Sequence, residues 1–359
     1  MLKTCTQLLL ISVILHSALG IRTQSPGPDA SWPIIYSSNG ESDVSSNLYD
    51  QIELEFRRRI DEANLVPPAQ HVRRYNNTSP EFLDAQFHAA LCRTSNCRAS
   101  FDKWDCGELC DTYLPDGEVI RSFNTFPMGV AGYVVLSHQK KTIYVLVRGA
   151  SSFRNKITAS ILACLADGTN APKSSKVCTS RQVIEYTPNM MKHAGLLAAE
   201  KDIYKIVHTA LYDQLLLTPD YKVEVTGHSF GAGVGSLLVA ELNHRHELVN
   251  STNLSGHLFG KARVGSYKYA AYFKKQNLVV RRYVQEGDDI THVPDIRDGY
   301  VHEGDEYWLE NDIIQEMVVC PGPFETRDCS NKVKYTKATQ HLLYWNIKQN
   351  CDSDFNNIV

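Results

Sequence analysis

The chain has 359 residues, of which 43% are apolar, and a formal charge of -3 at pH 7; this length and composition suit one large or two small soluble domains with a sizeable core. No strongly basic or acidic block appears along it, which argues against nucleic acid or another polyanion as partner and for a neutral substrate.

Residues 1–20 read as a secretory signal, with Lys3 at the positive end, Leu8 to Leu15 as the apolar stretch and Ala18-Leu19-Gly20 as a small-residue cleavage pattern. That run is too short for a permanent span, and no later segment reaches the roughly 18 consecutive apolar residues a membrane helix needs. The mature chain is therefore expected to be secreted, extracellular and without a transmembrane segment. Cys5 leaves with the signal, and Cys92, Cys97, Cys106, Cys110, Cys164, Cys178, Cys320, Cys329 and Cys351 remain. Without paired CxxC motifs these suit disulfides better than zinc, and their odd number leaves one thiol unpaired or bonded to another chain. Asn76, Asn77, Asn250 and Asn253 each open a glycosylation sequon; the first two overlap, so one of them is expected to be used.

Residues 21–75 differ in composition from the rest of the chain. They open rich in Ser, Pro and Gly and then carry Arg57-Arg58-Arg59 and Arg73-Arg74. Two readings stand: a propeptide with Arg73-Arg74 as a dibasic processing site, or an N-terminal extension that stays attached. Residues 76–359 form the main domain.

From about residue 80 the pattern alternates between strand and helix. Gly132 to Ser137 and Thr142 to Val147 predict a hairpin across His138-Gln139-Lys140-Lys141. Ile203, Ile206, Val207, Ala210, Leu211 and Leu215 recur at helical spacing until Pro219-Asp220, and Tyr221 to Thr226 predicts the next strand. A helix from about Phe230 to His244 follows, then strands at His257 to Phe259 and Leu278 to Val284. Alternation of this kind predicts a mostly parallel sheet with helices on both faces.

Between the strand ending near Thr226 and the helix at Phe230 lies Gly227-His228-Ser229-Phe230-Gly231. A Gly-X-Ser-X-Gly turn from strand to helix lifts its serine alone at the carboxyl end of a sheet, and the small flanking residues let strand and helix approach. Ser229 is thus the candidate nucleophile, with the Phe230 amide and the helix N-terminus aimed where a carbonyl oxygen becomes negative. In this topology the acid and the histidine come after the serine in that order, and the downstream histidines are His244, His246, His257, His292, His302 and His341.

Further motifs appear in order: Val147-Arg148-Gly149 with Ser152-Phe153-Arg154-Asn155, His193-Ala194-Gly195, Gly260-Lys261-Ala262-Arg263-Val264-Gly265, Asp288 to Pro294, Glu306-Tyr307-Trp308, and His341-Leu342-Leu343-Tyr344. Together with the serine turn they make the chain resemble the class 3, fungal-type lipases, the filamentous-fungus triacylglycerol lipases and their feruloyl esterase relatives. The resemblance covers about residues 80–351 and implies an α/β-hydrolase fold, a mostly parallel central sheet with helices on both faces and a helical lid. It implies a Ser-Asp-His triad of Ser229, Asp288 and His341, with the neighbouring Asp289 as the alternative acid. His302 then reads as structural, and His228 as packed beside the nucleophile without titrating in the reaction. The resemblance also implies the bridges Cys97–Cys351, Cys106–Cys110 and Cys320–Cys329. Cys164 and Cys178 have no counterpart in it and lie fourteen apart, so they are paired with each other, leaving Cys92 as the buried odd thiol.

In that family the residue after the Arg-Gly pair lends a second backbone amide to the oxyanion hole, and here it is Ala150, which keeps the amide but lacks the usual hydroxyl. The segment 151–192 corresponds to the lid. Phe153, Ile157, Ile161 and Leu165 recur every four residues and make one apolar face, which on periodicity alone reads either as a core helix or as a cover for an acyl pocket that can make transient contact with a lipid surface. Lys156 stands where related lids often carry tryptophan. The implied activity is that of a triacylglycerol lipase acting on a lipid or ester substrate through an acyl-enzyme; a feruloyl or short-acyl esterase and a catalytically silent lipid-binding protein are the alternatives. Triad chemistry needs no cofactor and no metal.

Overall fold

The computed structural model describes residues 69, 71–96, 103–126, 129–149, 179–180, 192–311, 313, 315–322 and 324–349. All of them fall in one compact unit, Ser45–Val359. The expected signal at 1–20, nearly all of the 21–75 region, Ala150 and most of the lid segment lie outside the described residues, as do Cys97, Cys164, Cys178 and Cys351.

Among the described residues, nine strands hydrogen-bond into one sheet: β1 (Arg73–Tyr75), β2 (Glu118–Asn124), β3 (Ala131–Ser137), β4 (Thr142–Val147), β5 (Lys222–His228), β6 (Leu254–Phe259), β7 (Val279–Gln285), β8 (Asp305–Asn311) and β9 (Glu316–Cys320). Their lateral order is β1-β9-β8-β7-β6-β5-β4-β3-β2. The centre, β4 through β8, is parallel throughout. Antiparallel pairs flank it, β2 and β3 on one side and β9 and β1 on the other. The fold is that of an α/β hydrolase with a mostly parallel central sheet.

Every residue of β3 and β4 is buried, because each face of the sheet is covered. Successive side chains point to opposite faces: Val134, Leu136, Ile143, Val145 and Val147 join one core, while Tyr133, Val135, Tyr144 and Leu146 join another. The first core is closed by helices α3 (Ala194–Leu217), α4 (Phe230–Arg245) and α5 (Tyr267–Lys275). On the opposite face, α1 (Pro80–Asn96) contributes Leu91, and Leu114, which follows α2 (Glu108–Tyr113), joins the same core. Helix α4 is buried from Phe230 to Leu242, as expected for a helix lying against the middle of a doubly covered sheet.

The expected elements form, with shifted ends. Helix α3 begins nine residues before Ile203, at Ala194, because the His193 side chain accepts the Leu196 N–H and caps it. It stops before Pro219. Strand β5 runs on to His228, directly into the serine turn, and β6 begins at Leu254 rather than His257. Two bridges implied by the resemblance, Cys106–Cys110 and Cys320–Cys329, are formed, and Cys92 is free and buried. The dibasic Arg73-Arg74 lies in β1, paired with Val319 and Val318, and the Arg74 guanidinium contacts both Glu310 and Glu316.

Candidate active site

The chain leaves β5 and enters α4 through a single residue, Ser229, at φ 58° and ψ -124°. A positive φ is uncommon for any side chain and costs on the order of 1–3 kcal/mol. Hydrogen bonds hold it there: Ser229 N–H donates to the Phe259 carbonyl at the end of β6, and its own carbonyl accepts from Ala232 and Gly233. Gly231 is required by close approach, because a Cβ built on it would lie 2.2 Å from the Val147 carbonyl oxygen of β4. The serine is left partly exposed at the carboxyl end of the parallel strands.

Asp288 follows β7. Its N–H donates to the Gln285 carbonyl, and its Oδ1 accepts the Ile290 N–H at 2.9 Å, capping a 3-10 turn over Asp289–His292. His341 lies on a second 3-10 turn, Ala338–Leu342. The two turns meet below Ser229. His341 Nε2 lies 2.8 Å from Ser229 Oγ, and His341 Nδ1 lies 2.8 Å from Asp288 Oδ2. Asp288 is fully buried, and the His341 side chain is 13% exposed. Asp289 does not join this chain of hydrogen bonds; its Oδ1 is buried without a partner.

Burial alone would raise the Asp288 carboxyl, but the hydrogen bond and charge of His341 and the Tyr344 hydroxyl outweigh it and hold the group below the usual carboxylate range. Tyr344 donates to the same Oδ2 that His341 uses. Its phenol stays protonated, pushed well above its ordinary value by burial and by the neighbouring Asp288. His228 packs on His341 with ring centroids 4.5 Å apart and donates from Nε2 to the His341 carbonyl at 2.8 Å. Burial and the nearby His341 lower His228 to about 3, so it remains a neutral donor.

Several further residues complete the arrangement. Gln340 accepts the Gly287 N–H through Oε1 at 2.9 Å and donates to Glu286, joining the histidine turn to the acid turn. Gly260 leaves room for the imidazole, since a Cβ there would lie 2.8 Å from His341 Cε1. Arg263, buried, donates to the His292 and Pro294 carbonyls of the acid turn and forms a two-pronged pair with Glu325 at 2.8 Å on each prong. His302 sits beneath the same turn as a structural group: Nε2 donates to the Thr291 carbonyl, and Nδ1 faces Lys261 Nζ. Tyr344 and Arg263 lie inside sequence motifs that mark their importance, whereas Gln340 carries no such signal.

Of the two oxyanion candidates, Phe230 is the first residue of α4, where N–H groups have no acceptor within the helix. Ala150 lies outside the described residues. Gly149, just before it, sits against the serine turn, with a Cβ built on it 3.8 Å from the Ser229 Cβ.

Among the described residues, two clusters elsewhere bring potential metal-ligating atoms together, Asp84/His88/His257 and His208/His246/Glu247. Both rings that anchor them are otherwise engaged. His257 bonds Tyr283 through Nδ1 and the cationic Arg281 through Nε2, while His246 accepts from Leu248 N and faces the His208 carbonyl. A guanidinium against His257 opposes a cation at the first cluster, and both His246 nitrogens are already hydrogen-bonded at the second, so these read as structural hydrogen-bond networks.

Comparison with known proteins places this arrangement. The family model for class 3 lipases matches residues 144–297. A lipase of Rhizomucor miehei is 32% identical over 273 residues, covering 75% of this chain and 70% of that protein. A Rhizopus niveus lipase is 32% identical over 275 residues, covering 76% of this chain but 65% of its relative, a little under two thirds of that protein's length. The solved structure of Rhizomucor miehei triacylglyceride lipase superposes with a TM-score of 0.67 at 30% identity, covering 78% of this chain and 98% of that one. With this identity and coverage, and the same fold, the chain belongs to the class 3 lipase family.

Proposed function

We propose that the protein is a secreted serine ester hydrolase that cleaves triacylglycerols through an acyl-enzyme. The observation that carries the reading is the hydrogen-bonded relay from Ser229 Oγ through His341 to Asp288, with 2.8 Å at each link. Ser229 donates its proton to His341 Nε2 as Oγ attacks the ester carbonyl, and the imidazolium returns that proton to the leaving alcohol. Asp288 keeps the Nδ1 proton on the histidine and stabilises the imidazolium that forms, without taking the proton itself. The oxyanion is assigned to the backbone amides of Phe230 and Ala150, each such donor being worth about 2.7–4 kcal/mol in the transition state. Water, activated by the same histidine, then releases the acid.

The secreted location is proposed from the leader-like pattern of residues 1–20 in the sequence; no helix among the described residues is long and apolar enough to cross a membrane. Contact with a lipid surface is assigned to the apolar face of Phe153, Ile157, Ile161 and Leu165, which favours water-insoluble esters over soluble ones.

Labelling with a fluorophosphonate, followed by turnover on emulsified triacylglycerol and on a chain-length series of nitrophenyl esters, tests the proposal. It expects stoichiometric labelling that disappears in Ser229→Ala, and a rate that climbs once substrate forms an emulsion. Labelling with turnover confined to short or feruloyl esters would reassign the substrate. Failure to label would leave a lipid-binding protein.

A further inference from the structure

We propose that Asn76 and Asn250 carry N-linked glycans and that Asn77 and Asn253 stay bare, an inference independent of the hydrolytic reading. Four sequons compete in two pairs, and each pair resolves the same way. In Asn76-Asn77-Thr78, the Asn76 Oδ1 accepts from both the Thr78 N–H at 3.2 Å and the Thr78 hydroxyl at 2.9 Å. In Asn250-Ser251-Thr252 the arrangement repeats, with Asn250 Oδ1 accepting from the Thr252 N–H at 2.9 Å and its hydroxyl at 2.7 Å. Both asparagines are exposed, and these bonds use the amide oxygen, not the nitrogen that would take the sugar.

The contact has chemical content. In glycosyl transfer Nδ2 bonds to C1 of the sugar, loses a proton, and the C1–O bond to the carrier breaks, releasing a lipid pyrophosphate. The donor class is a lipid-pyrophosphate-linked oligosaccharide. Negative charge builds on Oδ1 as Nδ2 gives up its proton, and a hydroxyl and an amide donating to that oxygen stabilise it. The turn spans three residues, so a nascent chain can form it before any tertiary contact exists.

The rejected asparagines lack this arrangement, and the fold uses their sequons otherwise. In the sequon of Asn77 the third residue is Ser79, whose hydroxyl donates to the Asn76 carbonyl and accepts from Phe82 N at the start of α1. Asn253 is committed at both ends: Nδ2 donates to the Leu248 carbonyl at 3.0 Å, and Oδ1 accepts the Asn250 N–H at 2.9 Å. A sugar on that Nδ2 would have to displace the Leu248 carbonyl from a partly buried loop. The hydroxyl of Ser255, third in that sequon, lies in β6 and faces His257. Asn250 lies just before the amino end of β6, whereas Ser229 sits at the carboxyl ends of the parallel strands, so a glycan there leaves the serine accessible.

The test is site mapping of residues 21–359 secreted from a eukaryotic host behind the host's own leader. The product is deglycosylated in heavy-oxygen water so that each formerly occupied asparagine is marked by its conversion to aspartate. Label at Asn76 and Asn250, none at Asn77 or Asn253, and one mobility step lost in each of Asn76→Gln and Asn250→Gln is the expected result. Label at Asn77 or Asn253, or its absence from Asn76 or Asn250 in most molecules, overturns the proposal. The wild-type map decides this even if a variant folds poorly.

Discussion

Asp288→Asn is the sharpest probe of the relay, because the surroundings dictate how the amide must sit. The carboxylate accepts at Oδ1 from Ile290 N–H and at Oδ2 from both His341 Nδ1–H and the Tyr344 hydroxyl. Asparagine offers one accepting end and one donating end. The Ile290 N–H claims the oxygen, which turns the NH2 toward His341 Nδ1. The imidazole then accepts there and carries its proton on Nε2, presenting a donor to Ser229 Oγ where a base is needed. Flipping the amide restores the base but sets NH2 against the buried Ile290 N–H, at a cost of about 1–3 kcal/mol. A loss of about 10⁴ in kcat is expected, about 5.4 kcal/mol at 1.36 kcal/mol per decade: the tautomer cost supplies about one to two of those decades and the loss of the carboxylate charge beside the imidazolium the rest, with KM little changed. Initial rates on emulsified triacylglycerol and the rate of fluorophosphonate labelling should fall together. Asp289→Asn, in parallel, should stay within about a factor of two. More than about a tenth of normal turnover in Asp288→Asn, or equal damage from Asp289→Asn, would refute the tautomer argument.

Tyr344→Phe removes one charge-assisted donor from the Asp288 carboxylate and should reduce kcat about tenfold, at the low end of the 1.5–3 kcal/mol such bonds contribute; steady-state kinetics beside wild type would check it, and an unchanged kcat would count against a role for the phenol. Burial alone would raise Glu325, but the charge and hydrogen bonds of Arg263 bring it down to about 2. With an unfolded value near 4.5, its stabilisation is full above pH 4.5 and is lost as pH falls toward 2, so Tm should drop across that window. Glu325→Gln should lose about 3–5 kcal/mol at neutral pH by stranding the Arg263 charge, and denaturant titration would reveal it. Glu200 has the opposite sign: burial and then the charge of Glu241 raise it to about 8. Folded Glu200 keeps a proton that the unfolded chain releases, so stability should fall as pH rises from 4.5 toward 8. Glu200→Gln should remove that slope and gain on the order of 4 kcal/mol at pH 8; a Tm–pH curve parallel to wild type would rule this out.

Much of the architecture is legible in the sequence because two periodicities and one turn carry it. Strands β3 and β4 alternate between two covered faces, α3 repeats its apolar residues at helical spacing, and the glycine of the serine turn is dictated by a carbonyl 2.2 Å from where its Cβ would be. The choice between Asp288 and Asp289 is not legible in that way. Adjacent carboxylates on a short 3-10 turn point in different directions, and which one meets His341 depends on a turn more than fifty residues away. Gln340 escapes for a related reason: a single glutamine joining two backbone segments leaves no periodic trace. Helix α3 begins earlier than its apolar repeat suggests because the capping signal is a histidine, not one of the common capping residues.

The charges beneath the acid turn pose a sharper physical question, since buried ion pairs are seldom the most stable way to fill a core. Arg263–Glu325 and Lys261–Glu303 are nearly inaccessible to water, and apolar side chains of similar volume would avoid the desolvation cost. Apolar side chains cannot donate hydrogen bonds. The irregular path from Asp288 to Pro294 turns the carbonyls of Thr291, His292 and Pro294 toward this layer, where His302 and Arg263 supply their donors. Each buried carbonyl left without one would cost about 1–3 kcal/mol. A regular strand or helix would pair those carbonyls internally, but it would not cap on Asp288 Oδ1 and leave Oδ2 for His341. The ionised layer is therefore a consequence of the turn: a carboxylate aimed at a histidine requires irregular backbone, that backbone leaves acceptors inside the protein, and an arginine held by a glutamate satisfies two of them at once.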